Sequence, residues 1–310
     1  MHVIITGGTG LIGKPLTQLL AQAGHQVTVL SRNPAKHTLP PGIQMAQWDG
    51  QTAVGWEQAA NSAHAIINLA GESIAGSGFP PPRWSAERKQ RILQSRLDAG
   101  RAVVAAIRAA DNKPAVVLQA SGIDYYGNVP TIHEINEESP SGTGFLADVT
   151  RQWEASTAEV QEMGVRQILL RTGIVLSMEG GALPQTVMPF KFFAGGPLGN
   201  GKQWWPWIHL TDEIRAIQFL LEHRTASGAF NLCAPNPLPQ KEFAQEIGRA
   251  MGRPALLPAP AFALRAMLGE MAAIVLDGRR AIPQRLQALG FTFQYPQATS
   301  ALLDILNEKG

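Results

Sequence analysis

The first 176 positions carry six short apolar runs: HVIIT (2–6), QVTVLS (26–31), IQMAQW (43–48), AIINLA (65–70), AVVLQAS (115–121) and RQILLRTGIVL (166–176). Most are continuously apolar rather than alternating, the pattern of strands covered on both faces, as in a parallel sheet. Between them, stretches such as PLTQLLAQAG and SRLDAGRAVVAAIRAA follow a helical period, the second with Leu97, Val104 and Ile107 on or near one stripe. Strands alternating with helices predict an α/β fold with a Rossmann-type, doubly wound parallel sheet. After about residue 177 the texture changes. Glycines, prolines and tryptophans crowd GGALPQTVMPFKFFAGGPLGNGKQWWPW, then HLTDEIRAIQFLLEHR reads as a helix capped by Thr211 or Asp212, and GAFNLCA as one more strand. From residue 236 the pattern is mostly helical, with a short strand expected at FTFQY. The expected division is a large sheet domain over 1–235, with an interleaved substrate-side loop at 177–205, and a smaller, mostly helical substrate-side domain over 236–310.

The junction of the first run with the first helix holds the most chemistry. Gly7, Gly10 and Gly13 form G-x-x-G-x-x-G directly after a strand and before a helix. In such a turn the first glycine permits the bend, the second lets backbone approach a pyrophosphate, and the third lets helix pack on strand. The anion then sits on free N–H groups at the positive end of the helix dipole. Thr9, Leu11 and Ile12 belong to the same cradle. At the end of the second run, where an NAD-preferring site places a carboxylate for the ribose hydroxyls, the residues are Ser31 and Arg32, with Lys36 near by. A guanidinium fits a 2′-phosphate in charge and geometry, so NADP(H) is the expected cofactor.

Composition narrows the remaining classes. The 310 residues are 45% hydrophobic and 16% charged, which suits a packed globule, and 26 basic against 24 acidic residues leave no nucleic-acid footprint. Cys233 is alone and sits in an apolar run, so neither disulfides nor a CxxC metal site are expected, and no other ligand spacing suggests a metal. No run is long enough for a membrane span and nothing resembles a signal peptide, which places the expectation in the cytoplasm. The implied partner is a small-molecule substrate of unknown identity, and nothing specifies an oligomeric state.

With these motifs in hand, the chain resembles the atypical, epimerase-like group of the extended short-chain dehydrogenase/reductase superfamily. The resemblance rests on TGGTGLIG, the SR after the second strand, INLAGESI, RW…RKQRILQSR, SGIDYYG, WE, LLRTGIVL, GGPLGNGKQWWPWIHLTDEI and IPQRLQALGFTFQYP, in order over nearly the whole chain. It implies that Leu69, Ala70 and Gly71 lie against the adenine and ribose side and that Val175 backs the nicotinamide. It also points to Arg91 and Arg96 as cofactor-binding residues. These two lie about 140° apart around a helix, so both reach one cofactor only if the helix crosses it obliquely or one side chain bends back.

The same resemblance exposes a departure. The superfamily's catalytic Tyr-x-x-x-Lys, in which Lys lowers the Tyr pKa from about 10, corresponds here to Phe145 and Val149. Residues four beyond Tyr125, Tyr126 and Tyr295 are Val129, Pro130 and Thr299, so the dyad is absent. Ser121 and Tyr126 match the superfamily's Ser and Tyr-Gly; Ser121 is the candidate polariser, and Tyr126 or water the candidate proton source. Without a partner cation Tyr126 makes a better acid than base. Asp124 reads as a solvated loop carboxylate, and His209 as a structural hydrogen-bonding histidine. Trp204, Trp205 and Trp207 fit either substrate stacking or core packing. Three functions follow: an NADP(H)-dependent oxidoreductase on a small carbonyl or sugar-like substrate, a non-catalytic NADP(H) sensor or interaction protein, and, last, a nucleotide-sugar epimerase.

Overall fold

The computed structural model describes residues 1–36, 40, 42–76, 78, 81–129 and 133–307. The apolar runs become strands β1 (His2–Thr6), β2 (Gln26–Ser31), β3 (Ile43–Gln47), β4 (Ala65–Asn68), β5 (Val116–Gly122) and β6 (Arg166–Thr172). The sixth run continues into β7 (Ile174–Leu176). Then come β8 (Trp204–Trp205), β9 (Trp207–His209), β10 (Gly228–Leu232) and β11 (Leu238–Pro239). Seven strands form one sheet in the order β10-β6-β5-β4-β1-β2-β3, every neighbouring pair parallel. The order reverses between β1 and β4. A crevice opens at such a switch point, outside the carboxyl ends of the strands.

The helices are α1 (Gly13–Gln22), α2 (Glu57–Ser62), α3 (Ala86–Ala109), α4 (Phe145–Ala155), α5 (Leu183–Lys191), α6 (Leu210–Glu222), α7 (Gln240–Met251), α8 (Ala261–Leu268), α9 (Ala273–Leu276), α10 (Gln284–Ala288) and α11 (Ala298–Asn307). Leu16 and Leu20 of α1 and Ile217 and Leu220 of α6 cover one face of the sheet, and Ala99, Val103 and Ile107 of α3 the other. Covering both faces is what the unbroken apolar runs require. A buried polar relay crosses three central strands: Thr6 Oγ1 donates to Asn68 Oδ1 at 2.6 Å, and Asn68 Nδ2 to Gln119 Oε1 at 2.8 Å.

The 177–205 stretch and the C-terminal part share a core. Leu183, Val187 and Phe190 of α5 pack with Trp205, Trp207, Phe243, Ile247, Ala301 and Leu302. Trp205 and Trp207 lie 5.5 and 6.4 Å from the Phe243 ring, so both are packing residues.

Two sequence expectations change. FTFQY is not a strand: Asp212 accepts the backbone N–H groups of Gln294 and Tyr295, each at 2.8 Å, and a side chain takes the place of a neighbouring strand. The cap of α6 is neither Thr211 nor Asp212 but His209, whose Nδ1 accepts from the Thr211 N–H at 3.0 Å. That is a structural role, and the His209 ring also stacks on Tyr295 at 4.0 Å.

Candidate functional site

The turn after β1 is shaped by what its glycines lack. Gly7 has a φ of +68°, and a Cβ there would lie 2.8 Å from the Leu69 carbonyl carbon at the end of β4. A Cβ on Gly13 would lie 2.2 Å from the Gly7 carbonyl oxygen. The start of α1 is therefore drawn tightly onto the turn, whose Gly7, Thr9 and Gly10 line the crevice.

That crevice is a groove of about 790 Å³. Gly7, Thr9 and Gly10 line it on one side, Leu69, Ala70 and Gly71 on the other, and Ser31, Arg32 and Lys36 at the end of β2. Arg32 and Lys36 are exposed, so a phosphate can meet them directly. Asp49 is also in the wall, but it is occupied: Thr52 Oγ1 and the N–H groups of Gln51 and Thr52 donate to it. Those bonds, with the Thr52 hydroxyl foremost, hold its carboxyl below the usual range.

α3 closes the remaining side with Arg91, Gln94, Ser95 and Asp98, spaced i, i+3, i+4, i+7. Arg96 is off this stripe. Its Nη1 donates to the carbonyls of Glu72 and Ile92 at 3.0 and 2.9 Å, and its guanidinium lies over Trp153 at 4.7 Å. Burial pushes its pKa down to about 10, which leaves it charged at neutral pH. Of the two expected cofactor residues, Arg91 lines the groove, while Arg96 lies behind Gly71 and is not in the groove wall. Leu11, Ile12, Gly13 and Val175 are not in the groove wall. Leu11 sits against the 180–181 turn, and Val175 pairs with Ile208.

Ser121 and Tyr126 belong to a buried network beside the crevice. Ser121 Oγ donates to Glu154 Oε1 at 2.7 Å, and Arg171 grips the same carboxylate with Nε and Nη2 at 2.8 and 3.0 Å. Arg171 Nη1 donates to the Tyr126 hydroxyl at 2.9 Å, which in turn donates to Asn231 Oδ1 at 2.8 Å. Burial pushes Tyr126 up to about 12, with Arg171 opposing. Neither hydroxyl lines the groove or the cavity described next.

A second cavity, about 280 Å³, lies at the start of α4. Trp84, Asp124, Phe145, Glu270, Asp277 and Arg279 are among its walls. Trp84 and Phe145 meet edge to face, with centroids 5.0 Å apart. Asp124 is no solvated loop carboxylate, because Arg279 pairs with it at 2.6 Å. A short stretch separates the two chambers: Glu72 and Ser73 line the groove, and the next carbonyl, of Ile74, accepts from the Trp84 indole at 2.9 Å.

A family model described as the NAD dependent epimerase/dehydratase family matches residues 3–233. The chain belongs to this family. Beyond that span, residues 259–305 match a domain of unknown function, DUF1731. Epimerase family protein YfhF of Bacillus subtilis is 37% identical over the whole of this chain and 99% of its own length. The Arabidopsis thaliana chloroplastic homolog of epimerase family protein SDR39U1 is 38% identical over 99% of this chain and 87% of its own. A crystal structure of human epimerase family protein SDR39U1 (isoform 2) with NADPH superposes with a TM-score of 0.84 at 34% identity, covering 99% of both chains. A Thermus thermophilus UDP-glucose 4-epimerase, at 19% identity and a TM-score of 0.75 over 100% of this chain and 99% of its own, shares the fold.

The two positions that the resemblance matched to the dyad, Phe145 and Val149, both lie on α4. Phe145 is a wall of the smaller cavity, and Val149, one helical turn on, is buried at 3% exposure. Among the described residues no His, Cys, Asp and Glu group has metal-binding geometry, and no helix is long and apolar enough to cross a membrane. Cys233 is wholly buried and burial raises its thiol pKa well above the ordinary value, so it is a core residue. Glu270, Asp277 and Arg279 were not singled out from the sequence, since lone charges in a helical C-terminal stretch look solvated. Gln94, Ser95 and Asp98 were missed too, though the i, i+3, i+4, i+7 polar stripe from Arg91 was the signal for them.

Proposed function

We propose that this chain is an NADP(H)-dependent oxidoreductase of the atypical short-chain dehydrogenase/reductase type, working as a reductase on a small carbonyl or sugar-like compound. The observation that carries the cofactor is the groove itself: a glycine cradle that a Cβ would fill, ending at exposed Arg32 and Lys36. The NADPH in the human relative's structure supports the same choice. Gly7, Thr9 and Gly10 would hold the pyrophosphate, Arg32 and Lys36 the 2′-phosphate, and Leu69 to Gly71 with Arg91 the adenosine side. Bound there, NADPH supplies a hydride.

In this reading the reaction draws its proton from water. Ser121 and Tyr126 act as positioning residues, because their hydroxyls are committed to Glu154, Arg171 and Asn231. Reduction suits the site better than oxidation, since no residue stands ready as a base at the Phe145 position. The sensor reading remains the alternative, favoured by the same lost dyad. Nucleotide-sugar epimerisation ranks below both, because it needs the missing Tyr as base.

Arg32→Glu tests the cofactor assignment: NADPH affinity is expected to fall about 10- to 100-fold and NADH affinity less than about threefold. Equal losses overturn the role of Arg32. NADPH consumption with a carbonyl panel tests turnover, and its absence alongside a cofactor-induced change of assembly state moves the conclusion to the sensor.

A further inference from the structure

The charged walls of the smaller cavity are unevenly paired. Of its charged walls, Asp124 is neutralised by Arg279 and Glu270 is paired with Lys89. Asp277 remains. Its carboxylate has no hydrogen-bond or close ion-pair partner among the described residues, with Arg279 and Arg265 acting on it only at longer range. The same cavity is lined by the edge-to-face rings of Trp84 and Phe145, and the Lys89 ammonium lies 5.2 Å from the Phe145 centroid, so this aromatic wall already faces one cation. The volume sits just below the roughly 300–1,000 Å³ of drug-sized ligand sites, which limits the occupant to a small molecule.

The origin of these walls is informative. Trp84 and Phe145 come from the sheet domain, whereas Glu270, Ala273, Asp277 and Arg279 come from the 259–305 segment. Arg83, beside Trp84, ties the two together by donating to the carbonyls of Ala266 and Met267. The C-terminal segment thus contributes the acidic half of a chamber whose aromatic half sits where the superfamily keeps its catalytic tyrosine.

We propose that this chamber is a substrate pocket for a small planar compound bearing an amine or another hydrogen-bond donor, selected by Asp277 against the Trp84–Phe145 wall, and that it rejects carboxylates and nucleoside-diphosphate sugars. The proposal rests on the reductase reading only in calling the occupant a substrate. An anion brought there meets a carboxylate with no close ion-pair partner in a partly buried site, whereas a donor group relieves it. Phosphorylated sugars find no free cation in the wall, since Arg279 is already engaged.

Benzylamine, benzyl alcohol and benzoate are matched in shape and differ in charge. Their binding to the NADPH-saturated protein is to be measured by ligand-observed NMR and calorimetry, with UDP-glucose as a fourth probe. Benzylamine is expected to bind at least about tenfold tighter than benzoate, with UDP-glucose showing no displacement of it. Asp277→Asn is expected to shrink the amine preference to less than about threefold and leave benzyl alcohol within about twofold. The proposal is overturned if benzoate or UDP-glucose matches benzylamine, if none of the probes binds at about ten millimolar, or if the preference survives in Asp277→Asn. Saturation with NADPH is scored separately, so failure of the cofactor reading is visible on its own.

Discussion

Arg91 and Arg96 show how one side chain's direction divides two similar residues. Arg91 is 59% exposed and its Nε donates to Glu72 at 3.4 Å, whereas Arg96 is buried against Trp153 and two carbonyls. Arg96→Ala should cost about 2–4 kcal/mol of stability through lost charge-assisted hydrogen bonds and packing, read by denaturant unfolding. Arg91→Ala should leave stability within about 0.5 kcal/mol and weaken NADPH binding severalfold. Glu213 is the clearest pH-sensitive residue. It is buried in the first turn of α6, with Thr172 Oγ1 donating to Oε1 at 2.8 Å and no partner for Oε2 among the described residues. Burial raises its pKa to about 8, against the Thr172 bond. In the unfolded chain the value is about 4.3. Between the two, the folded protein keeps a proton that the unfolded chain has released, so stability falls as pH climbs from about 4 towards 8. Glu213→Gln keeps the shape without the charge. It is expected to flatten that slope and to add about 2 kcal/mol or more near pH 8, with little change near pH 4, in parallel urea titrations.

At the scale of elements, α4 explains why the dyad cannot simply be put back. Phe145 faces a cavity and tolerates a hydroxyl, but Val149 points into the interior. Val149→Lys should therefore destabilise by about 3 kcal/mol or more, and Phe145→Tyr/Val149→Lys should gain no dehydrogenase activity; a stable, active double variant would show the helix face to be misassigned. The strands were legible because a parallel sheet needs continuous apolar runs, and β1 and β2 begin and end where HVIIT and QVTVLS do. FTFQY misled for the converse reason. Phe291 and Phe293 alternate as a strand would, yet they pack on Phe219 and on each other, and a carboxylate from α6 takes up the backbone N–H groups. Alternation reports burial, and a strand is only one way to achieve it.

For the whole molecule, the cofactor half of the site was readable because its chemistry is local: a glycine turn, a strand end and one helix face. The second chamber was not, because Trp84, Phe145 and Asp277 meet only when the C-terminal segment folds back over α3 and α4. The buried network had the same origin, since Ser121, Glu154, Arg171 and Asn231 lie on four separate elements. The strip from Glu72 to Ile74 lines the groove with Glu72 and Ser73, holds the smaller cavity's Trp84 through the Ile74 carbonyl, and is pinned by Arg88, which donates to the Ser73 carbonyl at 2.9 Å. Such a link between one groove wall and one cavity wall is expected to tie the tenants' arrivals together. A dinucleotide seated on Glu72 and Ser73 is expected to stiffen the strip that holds Trp84, so that the smaller guest enters a finished room only afterwards. Steady-state inhibition should then show a compulsory sequence, coenzyme first and last, and a random pattern would mean the wall transmits nothing.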